Sequence, residues 1–169
     1  MRRLLDFLYD ASAWLAALAM IGVLLMVLLS IVSRQVGFHV PGTDAYAGYA
    51  MAAAGFLALA HTLKRNEHIR VTLLLGRLQG RRRHALEMWA LSASVLLGGL
   101  FAFFSVRLAW VSHSINDIST GNDATPLWLP QVAMAVGTVI LLVALIDEWV
   151  LELRGERKVA ASDEALHNE

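Results

Sequence analysis

The groups that could carry chemistry in this 169-residue chain are six histidines, fourteen acidic and fourteen basic side chains, and no cysteine. Lack of cysteine removes disulfides, thiolate metal sites, cysteine nucleophiles and thiol redox chemistry. A haem would need two histidines on facing helices at similar depth. His61 and His84 come nearest, but both fall near the ends of apolar stretches, where they would hold a haem only at the rim. His113 falls at the opposite side and has no partner. A metal site from His68, His84 and Glu87 lacks the tight ligand spacing such sites use. No glycine-rich phosphate loop, serine elbow or carboxylate pair in a cleft is visible, so the chain reads as non-enzymatic and free of cofactors. A haem-carrying membrane anchor of a redox complex is the alternative, and a Soret band would support it. A free-standing small transporter is a third reading, and predicts uptake by the chain alone.

The elements that must position these groups follow from composition. Hydrophobic residues make up 57% and charged residues 17%, against about 45–50% and 25% in ordinary domains. The formal net charge is zero, which gives no reason to expect a nucleic acid partner. Four uncharged stretches separate the charges: Asp10 to Arg34, Asp44 to Lys64, Glu87 to Arg107 and Asp123 to Asp147. Each holds about the 20 residues needed to cross a bilayer. Lipid offers the backbone no hydrogen bonds, so these stretches must be helical. The fold expected is all-α integral membrane, one domain over residues 1–155, with spans at about 11–33, 45–63, 86–110 and 127–150. The first run is too long for a signal core and is read as retained.

Lysine and arginine set the orientation. Twelve of the fourteen lie before the first span, between the second and third, or after the fourth. Both termini are therefore expected in the cytoplasm of a bacterial inner membrane, with two loops outside. Trp14, Trp110, Trp128 and Trp149 fall near span ends, as interfacial aromatics do. The middles of the spans carry no charge, where an ion or acid pathway would place one. Their main polar residues are Ser30, Ser33, Ser92, Ser94, Ser105 and Thr138, whose hydroxyls are expected to bond back to the backbone. Arg107, one turn from the outer end of the third span, either snorkels to headgroups or pairs with Asp117 or Asp123.

Small residues dominate the second span. Gly48, Ala52 and Gly55 share a face at i, i+4, i+7, and Ala133 and Gly137 repeat the small-xxx-small spacing in the fourth. Such faces let membrane helices approach closely, but spacing does not say whether the partner is internal. Between spans two and three, Ile69, Leu73, Leu74 and Leu78 form an apolar stripe beside Arg70, Arg77 and Arg81 to Arg83, predicting a short amphipathic helix in the cytoplasmic interface. Proline is tolerated in the first turn of a helix, so Pro126-Leu127-Trp128-Leu129-Pro130-Gln131 can open the fourth span. Residues 156–169 mix charges without an apolar stripe, which predicts a disordered cytoplasmic tail.

Three segments in this order resemble the small membrane subunit (DctQ type) of TRAP transporters, the tripartite ATP-independent periplasmic family. They are Ser33-Arg34-Gln35-Val36 closing the first span, Glu67-His68-Ile69-Arg70-Val71 after the second, and Pro126 to Gln131 opening the fourth. The chain departs from the family pattern at Thr43-Asp44-Ala45-Tyr46, where many members carry Trp and Glu, and at Thr72, where many carry Asp. The resemblance implies a scaffold and docking subunit of a sodium-coupled importer of dicarboxylate-like organic acids. Its partners would be a large permease, which holds the substrate and sodium sites, a periplasmic binding protein, and lipid. Spans one and two and the amphipathic segment would pack on the permease. Candidate partner contacts are Arg34, Gly48, Ala52, Gly55, His68, Arg107, Asp117, Asp123, Trp128 and Gln131, with Arg34, Asp117 and Asp123 facing the binding protein.

Overall fold

The computed structural model describes residues 2–38, 40–65 and 81–154. The expected amphipathic helix with His68, up to residue 80, and the tail of residues 156–169 lie outside the described residues. Four helices make up the rest: α1 (Arg2–Val36), α2 (Thr43–Lys64), α3 (Arg81–Ser114) and α4 (Trp128–Leu153). α1 begins well before Asp10 and α3 before Glu87, because a charge marks where lipid should end and not where a helix must. α1 ends on Gly37, at φ +77°, with the Phe38 N–H donating to the Ser33 carbonyl at 3.0 Å. α3 ends the same way on Asn116, at φ 52°, with the Asp117 N–H donating to the Ser112 carbonyl at 2.9 Å. Both left-handed caps satisfy carbonyls that a helix end leaves open.

Among the described residues, three helices are long and apolar enough to cross a membrane: α1, α3 and α4. The sequence led us to expect four, and α2 falls short. Its many alanines and glycines contribute little hydropathy, and its position removes the need for more. The helices pack in a row, α1 on α2, α2 on α4 and α4 on α3, with α1 touching α4 at only a few positions. α2 therefore has a helix on each flank. Contacts Gly22 to Ala50 with Asp10 to His61, and Gly98 to Leu145 with His84 to Glu152, show that α1–α2 and α3–α4 run antiparallel, whereas Phe56 to Gly137 with Lys64 to Asp147 show that α2 and α4 run parallel. One end of the row gathers the start of α1 and the end of α4 (the terminal end). The other holds the two connections 37–42 and 115–127 (the hairpin end).

Small side chains are inside and large ones outside. The buried apolar residues are mainly alanines, among them Ala16, Ala54, Ala60, Ala102, Ala135 and Ala144, while Leu18 and Leu25 on α1 and Leu96 and Phe103 on α3 are about 60% or more exposed. In water so much exposed apolar surface would drive aggregation; in lipid it costs nothing, and small residues at the seams bring helices close. The tightest seam is α2–α4, where a Cβ on Gly137 would stand 2.5 Å from the Phe56 carbonyl oxygen. A cluster of Tyr9, Ala60, Ile140 and Ala144, flanked by Leu5, Leu8 and Leu63, joins α1, α2 and α4 near the terminal end. On α3, Trp89 and Trp110 are both at least 70% exposed. They are separated along the axis by about 31 Å, close to the thickness of a hydrocarbon core. Trp110 was expected at a span end; Trp89 completes the pair.

Four of the six mid-span hydroxyls bond back to their own helix: Ser33 to Ser30, Ser92 to Met88, Ser94 to Ala90 and Thr138 to Ala135. The side chain of Ser30 instead donates to Asp44 at 3.3 Å. Ser105 is buried with no partner for its hydroxyl among the described residues.

Candidate functional site

The hairpin end is built around Asp123. Its two carboxylate oxygens accept from the Ser119 hydroxyl at 2.8 Å and from the Tyr49 hydroxyl at 3.0 Å. Thr125 donates to the Tyr46 hydroxyl at 3.1 Å, and the rings of Tyr46 and Tyr49 meet edge to face at 6.1 Å. The Ser119 N–H donates to the Thr125 carbonyl and the Leu127 N–H to the Asp117 carbonyl, so the 117–127 segment closes as a small ladder on the start of α2. Gly42 makes room for it. It sits at φ +81°, and a Cβ there would meet the Asp123 Cβ at 2.9 Å. Partial burial works against the Asp123 carboxylate, but hydrogen bonds from Ser119, Thr125, Tyr49 and its own backbone outweigh it and hold the pKa at about 2.

Arg34 stands beside this loop and pairs with Asp44 at 3.5 Å, both side chains mostly exposed. A pair of that exposure contributes about 0–1 kcal/mol. A cleft of about 230 Å³ opens between Ser30, Ser33, Arg34, Thr43, Asp44 and Asn122. Arg107 is exposed and makes no ion pair with Asp117 or Asp123. That overturns the pairing entertained from sequence and leaves the snorkelling account. Asp123 points inward to Tyr49 because the loop folds back onto α2. Trp128 is half-buried and meets His113 edge to face at 5.3 Å. Gln131, also half-buried, has a side-chain carbonyl without a partner among the described residues.

The terminal end is held by charge. Lys64, in the last turn of α2, bonds Asp147 and Glu148 of α4 and lies 5.4 Å from the centre of the Tyr9 ring of α1. All three charged side chains are mostly buried. His61 faces Asp10 across α1–α2 at 3.5 Å, and His84 meets Glu152 across α3–α4 at 2.9 Å. Trp149 donates to the Ser92 hydroxyl at 3.0 Å. The two histidines closest to a haem pair thus lie on α2 and α3, which both pack on α4, and each faces a carboxylate of a different neighbour. That arrangement does not favour the redox reading. Sequence reasoning located Lys64, Asp147 and Glu148 at one side of the membrane but missed their pairing, since nothing in the sequence says that α2 and α4 are neighbours.

Between the two ends, α2 keeps one face open. Gly48, Met51, Ala52 and Gly55 are exposed, and a Cβ added at Gly48 or Gly55 would meet nothing within 4 Å. The opposite side buries Ala54, Leu57 and Ala60 against α1 and α4. Gly48, Ala52 and Gly55 are thus brought together along one strip, Arg34 and Asp123 lie at the hairpin end, and Arg107 stands apart on α3.

Two comparisons with known proteins bear on this arrangement. The family described as tripartite ATP-independent periplasmic transporters, DctQ component, matches residues 23–155, well over half the chain. No curated protein matches the chain.

Proposed function

The chain belongs to the DctQ component family of tripartite ATP-independent periplasmic transporters, and from that premise we propose that it is the bracing subunit of a sodium-coupled organic acid importer. In this reading a large permease component moves the solute and a periplasmic binding protein delivers it. The single observation that supports the supporting role is the row of helices. Helices packed mainly in series, with few contacts between the non-neighbours, leave little interior in which to enclose a pathway, and the paired ionisable side chains gather at the helix ends. All four helices cross the bacterial inner membrane, α2 sheltered between its neighbours, and the terminal end is cytoplasmic.

The open strip of Gly48, Ala52 and Gly55 is where the permease packs, because glycine on an exposed helix face weakens the helix unless close approach by another backbone offsets the loss. The hairpin end, with Arg34 and the 117–127 loop, faces the binding protein.

Reconstituted vesicles test the role. A sodium gradient should drive uptake of an organic acid when this chain, the permease and the binding protein are all present, and none with this chain alone. Uptake by the chain alone would overturn the reading. The orientation is tested separately by single cysteines in a chain that has none. Asn122→Cys should react with an impermeant reagent added outside cells and Gln79→Cys should not; the reverse pattern inverts the topology.

A further inference from the structure

At the terminal end a groove of about 470 Å³ opens between α1 and α2, lined by Asp10, Ala13, Trp14 and Ala17 from α1, and by His61 of α2 and Arg65, which caps its end. The α1 positions follow i, i+3, i+4, i+7, and His61 and Arg65 follow i, i+4, so each set stands on one helix face. Charge lies only at the rim. Asp10 is 66% exposed and faces His61 at 3.5 Å. Arg65 is exposed and makes no ion pair among the described residues. Below the rim, Ala13 and Ala17 leave an apolar track toward the middle of the helices, and Trp14 stands 74% exposed along it. Trp14 lies one turn deeper than Asp10, about 6 Å, a natural level for an interfacial indole.

We propose that this groove is a binding site for a phospholipid with a primary-amine headgroup, an ethanolamine phospholipid. Arg65 takes the phosphate through charge-assisted hydrogen bonds. Asp10 takes the ammonium, and one acyl chain runs down the Ala13–Ala17 track beside Trp14. The carboxylate makes the choice: a glycerol headgroup offers Asp10 only neutral hydroxyls and no cation, and a choline has no N–H to donate to it. The site needs only that the chain sits in a bilayer, so it can fail while the role as a transporter subunit stands, and the reverse.

The test is native mass spectrometry of the delipidated full chain, titrated with phosphatidylethanolamine, phosphatidylglycerol, phosphatidylcholine or inorganic phosphate. The ethanolamine lipid should bind about tenfold more tightly than the other two, the worth of one charge-assisted hydrogen bond. Arg65→Gln, at an exposed residue whose change leaves the fold intact, should weaken it by a similar factor. Asp10→Asn should abolish the preference over phosphatidylglycerol, with folding followed by thermal melting in detergent. Arg154→Gln, at the same end but outside the groove, should change nothing. Equal retention of all three lipids, unchanged selectivity in both groove variants, or displacement of the lipid by inorganic phosphate would each overturn the proposal.

Discussion

Ala133 and Gly137 on α4 and Gly48, Ala52 and Gly55 on α2 follow the same small-residue spacing and meet opposite fates. Gly137 is buried against the Phe56 backbone, so close that a Cβ would stand 2.5 Å from the carbonyl oxygen, whereas Gly48 and Gly55 face open space. One stripe closes the molecule and the other is left for something else. The spacing encodes the capacity for close approach and nothing about its target. What decides is the row of helices, which places α4 against one flank of α2, α1 against the other and, among the described residues, nothing over the Gly48–Gly55 strip.

The largest effect should come from filling the closed stripe. Gly137→Leu drives a branched side chain into the Phe56 backbone, and backbone cannot swing aside as a flexible side chain can. Even Gly137→Ala should cost about 1–3 kcal/mol, the usual range for overpacking. The leucine variant should lose the α2–α4 seam and elute as an aggregate on size exclusion. A Gly137→Leu protein that melts like the parent would erase the distinction between the stripes.

Next comes the charged end of the same seam. Lys64→Met removes the cation that Asp147 and Glu148 share. Breaking a fully buried pair costs about 3–5 kcal/mol, and the residual exposure here lowers the expectation to about 2. Thermal melting in detergent measures it. If Lys64→Met destabilises more than Gly137→Leu, charge and not shape is the main closure of α2 on α4.

A smaller effect is expected at the hairpin end. The Asp123 pKa is lowered from 3.8 to about 2, so folding favours its charged form. Its contribution is fully present above the unfolded value near 3.8 and is lost as pH falls through about 2. Asp123→Asn should therefore melt below the parent at neutral pH, by less than Lys64→Met does, and the gap should narrow on acidification toward pH 2. A gap that is constant with pH would mean that the loop is held by shape and not by the carboxylate.

Much of this was legible beforehand. Charge-free stretches located the helices, and their density in so short a chain implied lipid. The closures were harder to read. Gly37 caps α1 through a local rule, but Asn116 does the same for α3 with a residue that rarely advertises it. Lys64 with Asp147 and Glu148, and Asp123 with Tyr49, join residues more than seventy positions apart. Such pairs depend on which helices are neighbours, and periodicity within one helix carries no information about that. α2 misled in the other direction: an uncharged stretch of spanning length suggested a membrane helix like the others, yet its alanines and glycines leave it short of the hydropathy of the three span candidates. The structure gives the reason, since a helix flanked on both sides can trade apolar bulk for closeness.

The smallest effect on the chain itself should be the most informative about its role. Gly55→Leu adds a side chain where no atom lies within 4 Å, so the isolated protein should keep its stability within about 0.5 kcal/mol, as surface changes usually do. It should even gain slightly from removing a glycine from a helix interior. If the open strip is where the permease packs, the same variant should fail to co-purify with that component, while a leucine at the lipid-facing position of Trp110 should not. Stability retained and assembly lost would separate the two stripes completely, one needed to fold and the other to bind. Assembly retained with Gly55→Leu would assign the strip to lipid and move the partner surface to α1 or α3.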